Sequence, residues 1–141
     1  MSVISCVLLV DDDDTTNFLN QRLLERLAIT DTVLVAGNGQ DALDLLHTHC
    51  DLPTSPTCPA LILLDMKMPR MNGIEFLQAY AQRPRHRDPP VVIIMLTTSL
   101  NSDDVVKMQH LPIAGYLTKP LTSEKITQLM QAHFGQGTPT R

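Results

Sequence analysis

Short apolar runs alternate with amphipathic stretches along this chain, and the alternation repeats five times. Val7-Leu8-Leu9-Val10 is wholly apolar, partly β-branched and ends abruptly at acids, the pattern of a strand buried on both faces. From Thr15 to Leu27 the spacing becomes helical, with Leu19, Leu23 and Leu27 at i, i+4 and i+8. Asp14 is placed to cap that helix, and Asp13 reads as a solvated loop acid. Thr32 to Ala36 predicts a second strand, punctuated by Asn38-Gly39, and Gln40 to about His49 a second helix through Ala42, Leu45 and Leu46. Residues 51–59 (DLPTSPTCP) have several prolines and no periodicity, which predicts an exposed loop. Ala60 to Leu64 is the third strand, again closed by an aspartate, and Gly73 to Ala81 the third helix. After a Pro- and Arg-rich connection from Arg83 to Pro90 come a fourth strand (Val91 to Leu96), a polar helix (Ser102 to His110), a short fifth strand (Ala114 to Thr118) and a last helix (Thr122 to Phe134). The pattern predicts one domain over residues 1–134, a flexible tail over 135–141 and no output domain.

Five strand–helix pairs in regular alternation imply an α/β, doubly wound parallel sheet with helices on both faces. A length of 141 residues suits a single domain that needs neither disulfides nor a structural metal. The formal charge of −4, with no basic run, argues against direct nucleic-acid binding, although a partner could itself bind DNA. Cys6, Cys50 and Cys58 are odd in number and irregular in spacing, which speaks against a disulfide framework and suits a reducing cytosol. Cys6, inside an apolar run, reads as core. His47, His49, Cys50 and Cys58 lack the spacing of a metal site. The N-terminal apolar stretch is too short for a membrane span and has no basic start for a signal peptide, so a cytoplasmic protein without membrane insertion is expected.

Polar residues follow four of the five strands: Asp11 and Asp12 after the first, Asp65 after the third, Thr97 after the fourth, Lys119 after the fifth. Ligands of open α/β sheets bind beyond the carboxyl ends of the strands, so these residues converge on one edge. Carboxylates crowded in one crevice either retain a proton or hold a cation. Carboxylates supplemented by carbonyls and water suit a hard divalent ion, with Mg²⁺ favoured by a small, water-retaining site. Lys119 adds a positive charge and Thr97 a hydroxyl donor, the complements that phosphoryl oxygens need. A carboxylate nucleophile attacking phosphorus gives an acyl phosphate.

Val10-Asp11-Asp12, Leu63-Leu64-Asp65-Met66-Lys67-Met68-Pro69 with Asn72-Gly73, Met95-Leu96-Thr97, and Gly115-Tyr116-Leu117-Thr118-Lys119-Pro120 match one pattern in order and spacing. In these residues the chain closely resembles the response-regulator receiver domains of two-component signalling, of the single-domain type seen in chemotaxis, over about residues 5 to 134. The resemblance implies a flavodoxin-like (βα)5 fold with strand order 2-1-3-4-5. It implies that Asp65 accepts phosphate from a histidine kinase or a histidine phosphotransfer protein. Mg²⁺ would be held by Asp12 directly, by Asp11 more through water, by Asp65, and by the backbone carbonyl of Lys67. Thr97 would bond the phosphoryl group, Lys119 would pair with it, and Tyr116 would rotate inward as the switching aromatic. Lys119-Pro120 is the peptide usually cis in this family. The implied role is a signalling switch, not an enzyme, that assists its own phosphorylation and dephosphorylation. It would control protein–protein contacts, and a phosphorylation-dependent dimer is among the arrangements it allows.

Two departures stand out. Thr98 replaces the common alanine after the family threonine, and Lys67 and Ser99 occupy flanking positions that influence acyl-phosphate lifetime. Competing readings are a phosphorelay intermediate, a haloacid-dehalogenase-like phosphatase, and a pseudo-receiver. The phosphatase would need a second aspartate where Lys67 stands, and the pseudo-receiver is disfavoured by a full set of acidic and basic members. The Met66, Met68 and Met71 cluster reads as packing, Gly73 and Gly115 as backbone geometry, and His86, His110 and His133 as inert.

Overall fold

Each predicted apolar run forms a strand, each amphipathic stretch a helix, and the order is β1 (Val7–Val10), α1 (Asp14–Arg26), β2 (Val33–Ala36), α2 (Gly39–His49), β3 (Leu61–Asp65), α3 (Gly73–Ala81), β4 (Val92–Thr97), α4 (Ser102–Gln109), β5 (Gly115–Thr118) and α5 (Ser123–His133). These elements come from a computed structural model that describes residues 4–50, 58–82, 91–98 and 102–134. The connection at 83–90, most of the 51–59 loop, Ser99 and the 135–141 tail therefore lie outside the described residues.

All five strands run parallel in the order β2-β1-β3-β4-β5, as expected for the doubly wound class. Register places Val10 beside Leu64 and Asp65 beside Leu96, so the polar residues beyond β1, β3 and β4 emerge at one level. Strand alternation divides the core into two layers. Leu8, Val10, Ile62, Leu64, Ile93 and Met95 face a layer closed by Ala42 and Leu46 of α2, Phe76 and Leu77 of α3, and Met108 of α4. Val7, Leu9, Leu61, Leu63, Ile94 and Leu96 face the other, closed by Leu23 and Leu24 of α1 and Ile126, Leu129 and Met130 of α5. Among the described residues no helix is long and apolar enough to cross a membrane.

Helix starts are fixed by side chains that accept from otherwise orphaned N–H groups. Asn72 and Glu75 form a reciprocal capping box on α3, and Asn38 accepts from Asp41 N–H at the start of α2. The first helix departs from the sequence reading. Its cap is Asp13, whose carboxylate accepts from Thr15 N–H at 3.1 Å and from the Thr16 hydroxyl at 2.7 Å, while Asp14 is the first helical residue. The leucine spacing also misjudges the buried face: Leu19 is 59% and Phe18 57% exposed, while Asn17, Asn20, Leu23 and Leu24 point inward.

The cysteines need a second correction. Cys6 is buried core as expected, but Cys50 and Cys58 form a disulfide eight residues apart. The end of α2 returns to the start of β3 there: Cys50 is buried as the cap of α2, and Cys58 and Pro59 are buried at the close of the stretch expected to be an exposed loop. Closing so short a loop stabilises a chain by about 2–3 kcal/mol through the unfolded state. Reduction with a strong thiol, or Cys50→Ser with Cys58→Ser, should lower the melting temperature by on the order of 5–10 °C. Identical melting curves for the oxidised and reduced protein would refute a stabilising bridge.

Candidate functional site

Beyond the carboxyl end of the sheet, Asp11, Asp12 and Asp65 offer carboxylate oxygens that all lie within 4.8 Å of one another. Asp11 and Asp65 are buried and Asp12 is exposed, so the cluster has a dry floor and a wet rim. Lys119 closes the far side. Its Nζ donates to Asp11 Oδ2 at 2.7 Å and lies 3.3 Å from Asp65 Oδ1.

Backbone contacts hold each member in place. Asp11 N–H donates to the Ala36 carbonyl at 3.1 Å, tying the end of β1 to β2. Asp65 closes β3, where the following Met66 N–H donates to Leu96 at 3.2 Å. Gly73 lies directly behind the acid: a β-carbon there would sit 2.7 Å from the Asp65 carbonyl oxygen, closer than real β-carbons approach, so only glycine lets α3 begin at this point. Between them, Arg70 adopts a left-handed φ of 70° in a tight turn closed by Met71 N–H to Pro69 C=O at 2.8 Å. The Met71 carbonyl in turn accepts from Gly39 N–H at 3.1 Å, fastening this loop to the start of α2.

Lys119 is positioned from β4 on one side and from α5 on the other. Its N–H donates to the Thr97 carbonyl at 2.7 Å, and Lys119-Pro120 is cis as expected. Lys125, one turn into α5, donates from Nζ to the carbonyls of Thr118 at 2.7 Å and Pro120 at 3.0 Å, on either side of Lys119. Nothing in the spacing of Lys125 distinguishes it from a surface lysine, so only the fold reveals this contact.

Thr97 ends β4 and is buried, while Thr98 is exposed beside it. Tyr116 stands in register with Met95, two residues before Thr97 on the same sheet face, and the residue is 38% exposed. Lys67 is exposed, and its backbone N–H points at Asp65 Oδ1 from 3.5 Å. All seven residues expected at the site thus lie at this end of the sheet, with Tyr116 set back along β5. Alongside, Phe18, Leu19, Arg22, Pro120 and Leu121 line an open groove of about 450 Å³.

The electrostatics follow from the crowding. Burial, then the neighbouring Asp11 carboxylate, push the Asp65 carboxyl above its ordinary 3.8, only partly offset by Lys119. For Lys119, burial alone would lower the ammonium, but its bonds to Asp11 and Asp65 outweigh that and raise it above 10.5. A carboxyl raised in the folded state contributes stability that is present below its unfolded value and lost as pH rises through the folded one. Ionised Asp65 is therefore a burden at neutral pH. In a chelator, Asp65→Asn should melt higher than the native chain at pH 7, and the gap should close as the solution is acidified toward 3.8. Equal melting across that range would contradict a strained carboxylate. The donor set fits a hard divalent ion: three acidic oxygens, two dry and one open to water, already drawing in the nearest cation.

Comparison with known proteins follows the same outline. The profile of the family described as "Response regulator receiver domain" matches residues 7–131. The chain is 34% identical to the probable methanogenesis regulatory protein FilR2 of Methanothrix harundinacea, over 89% of this chain and 78% of that protein. It is also 34% identical to the response regulator Rcp1 of Synechocystis, over 89% of this chain and 83% of that one. The crystal structure of a two-component response regulator from Cytophaga hutchinsonii superposes with a TM-score of 0.77 at 26% identity, covering 90% of this chain and 94% of the other.

Proposed function

We propose, because this chain belongs to the response regulator receiver domain family, that it is a phosphorylation switch whose acceptor is the Asp65 carboxylate. The family is a signalling domain rather than a classical enzyme. The observation that carries the reading is the meeting of three carboxylates and one ammonium at the end of the sheet, around an acid that two of its neighbours destabilise or restrain.

In this reading an Asp65 oxygen attacks the phosphorus of a phosphohistidine on a histidine kinase or phosphotransfer protein. The new O–P bond forms as the N–P bond breaks, and the electron pair leaves with the imidazole nitrogen. Lys119 exchanges its carboxylate partners for a phosphoryl oxygen, and the Thr97 hydroxyl donates to another. The Thr97 movement frees space for Tyr116 to turn inward, so the surface of α4, β5 and α5 differs between the two states and a partner can tell them apart. Asp12 directly, Asp11 through water, Asp65 and the Lys67 carbonyl would hold Mg²⁺, which when bound neutralises the acids and the incoming phosphoryl charge. We assign residues 1–134 to this unit and 135–141 to a tail. We place its action in the cytoplasm, with a downstream protein or a phosphorylation-dependent dimer as readout.

Incubation with acetyl phosphate tests the reading. The protein should gain one alkali-labile phosphoryl group when Mg²⁺ is present and none in chelator. Failure to label with Mg²⁺, or labelling indifferent to it, would sink the proposal.

A further inference from the structure

Two asparagines turn inward from α1: Asn17 is 4% exposed and Asn20 9%. Burying an amide is costly unless its hydrogen bonds are recovered. Asn17 recovers them only in part. Its Nδ2 donates to the backbone carbonyl of Asp11 at 2.9 Å, while its buried Oδ1 has no partner among the described residues. An apolar side chain of similar size would avoid that orphaned oxygen, so the amide's donor is its useful half.

That donor acts on the turn carrying the acids. Asn17 N–H donates to the Asp13 carbonyl at 3.1 Å, so one residue grips the turn at both ends. Within it, Asp13 N–H donates to Asp11 Oδ1 at 2.9 Å. Holding the Asp11 carbonyl fixes the orientation of the peptide joining Asp11 to Asp12, and with it the directions of their two carboxylates.

We propose that Asn17 is a positioning residue that keeps the Asp11 and Asp12 carboxylates converged on Asp65 as a divalent-cation site. It touches neither the ion nor the phosphoryl group. The inference rests on the Mg²⁺ reading above, and groups that orient ligands are worth about 10–100-fold in metal affinity.

Calorimetric Mg²⁺ titration of the full chain separates the two. Asn17→Leu and the smaller Asn17→Ser should each bind Mg²⁺ at least about tenfold more weakly than the native protein. Asn20→Leu, one turn further along the same buried face, should bind within about twofold of it. Melting curves in chelator identify which variants fold, and Asn17→Ser carries the test if the leucine variant does not. Lowered melting with unchanged Mg²⁺ affinity would mark a merely structural amide and overturn the inference alone. An equal loss of affinity in Asn20→Leu would do the same. Absence of Mg²⁺ binding by the native chain would overturn both this inference and the function it rests on.

Discussion

Asp65→Asn should reduce phosphoryl incorporation to background, at least about 10³-fold below the native chain, in the presence of Mg²⁺. The amide is nearly the same size as the carboxylate, so the fold should persist. Its nitrogen cannot form the acyl phosphate, and its oxygen is a poor nucleophile at phosphorus. Neighbouring carboxylates do not offer a substitute. Asp11 is held at 2.7 Å by Lys119 and has its other oxygen bonded to Asp13 N–H, while exposed Asp12 sits at the rim. Mass spectrometry of acetyl-phosphate-treated protein is the measurement. Undiminished labelling of the asparagine variant would move the acceptor elsewhere. Because the same substitution should raise the melting temperature without metal, loss of labelling could not be ascribed to unfolding.

Lys119→Met should separate two properties that the lysine couples. The ammonium now lies 2.7 Å from Asp11 and 3.3 Å from Asp65, occupying by charge the space where a divalent ion would gather the acids. Its removal leaves three carboxylates with less compensation, so Mg²⁺ affinity should rise roughly tenfold at moderate ionic strength. Phosphoryl transfer should nevertheless slow by about 10²–10³-fold, the usual cost of losing a preorganised positive group at a site of developing negative charge. Calorimetry and initial labelling rates at saturating Mg²⁺ measure the two effects independently. A variant that binds Mg²⁺ no better and labels at the native rate would remove Lys119 from the proposal. Methionine preserves most of the unbranched stem, so loss of the charge dominates the result.

Much of this arrangement is visible before any coordinates. A parallel strand buried on both faces is a continuous apolar run, and here each run ends where the sheet meets water, so Asp11, Asp65, Thr97 and Lys119 mark strand ends unmistakably. Register then needs only to align those ends, and Val10 beside Leu64 does so. What escaped is what depends on approach rather than period. Four successive aspartates do not say which one can reach back to Thr15 and Thr16, and Asp13 does. The leucine spacing in α1 identifies a helix, but its first turns lie beside the polar site, where asparagines are the inward residues and Phe18 and Leu19 are left outside. The Cys50–Cys58 bridge requires the end of one helix to return to the start of a strand, a proximity that spacing alone does not encode. Lys125 is a similar case, since its value lies in carbonyls that only the Lys119 turn presents to it.

That sulfur bridge has a practical consequence. A cytosol that keeps its thiols reduced would hold this polypeptide as an unclipped form, whereas purification in air yields the clipped one. Denaturation data gathered without a defined redox buffer would blend two species. An unfolding transition broadened by that mixture would be misread as low cooperativity, where a single domain of this size is expected to melt as a unit.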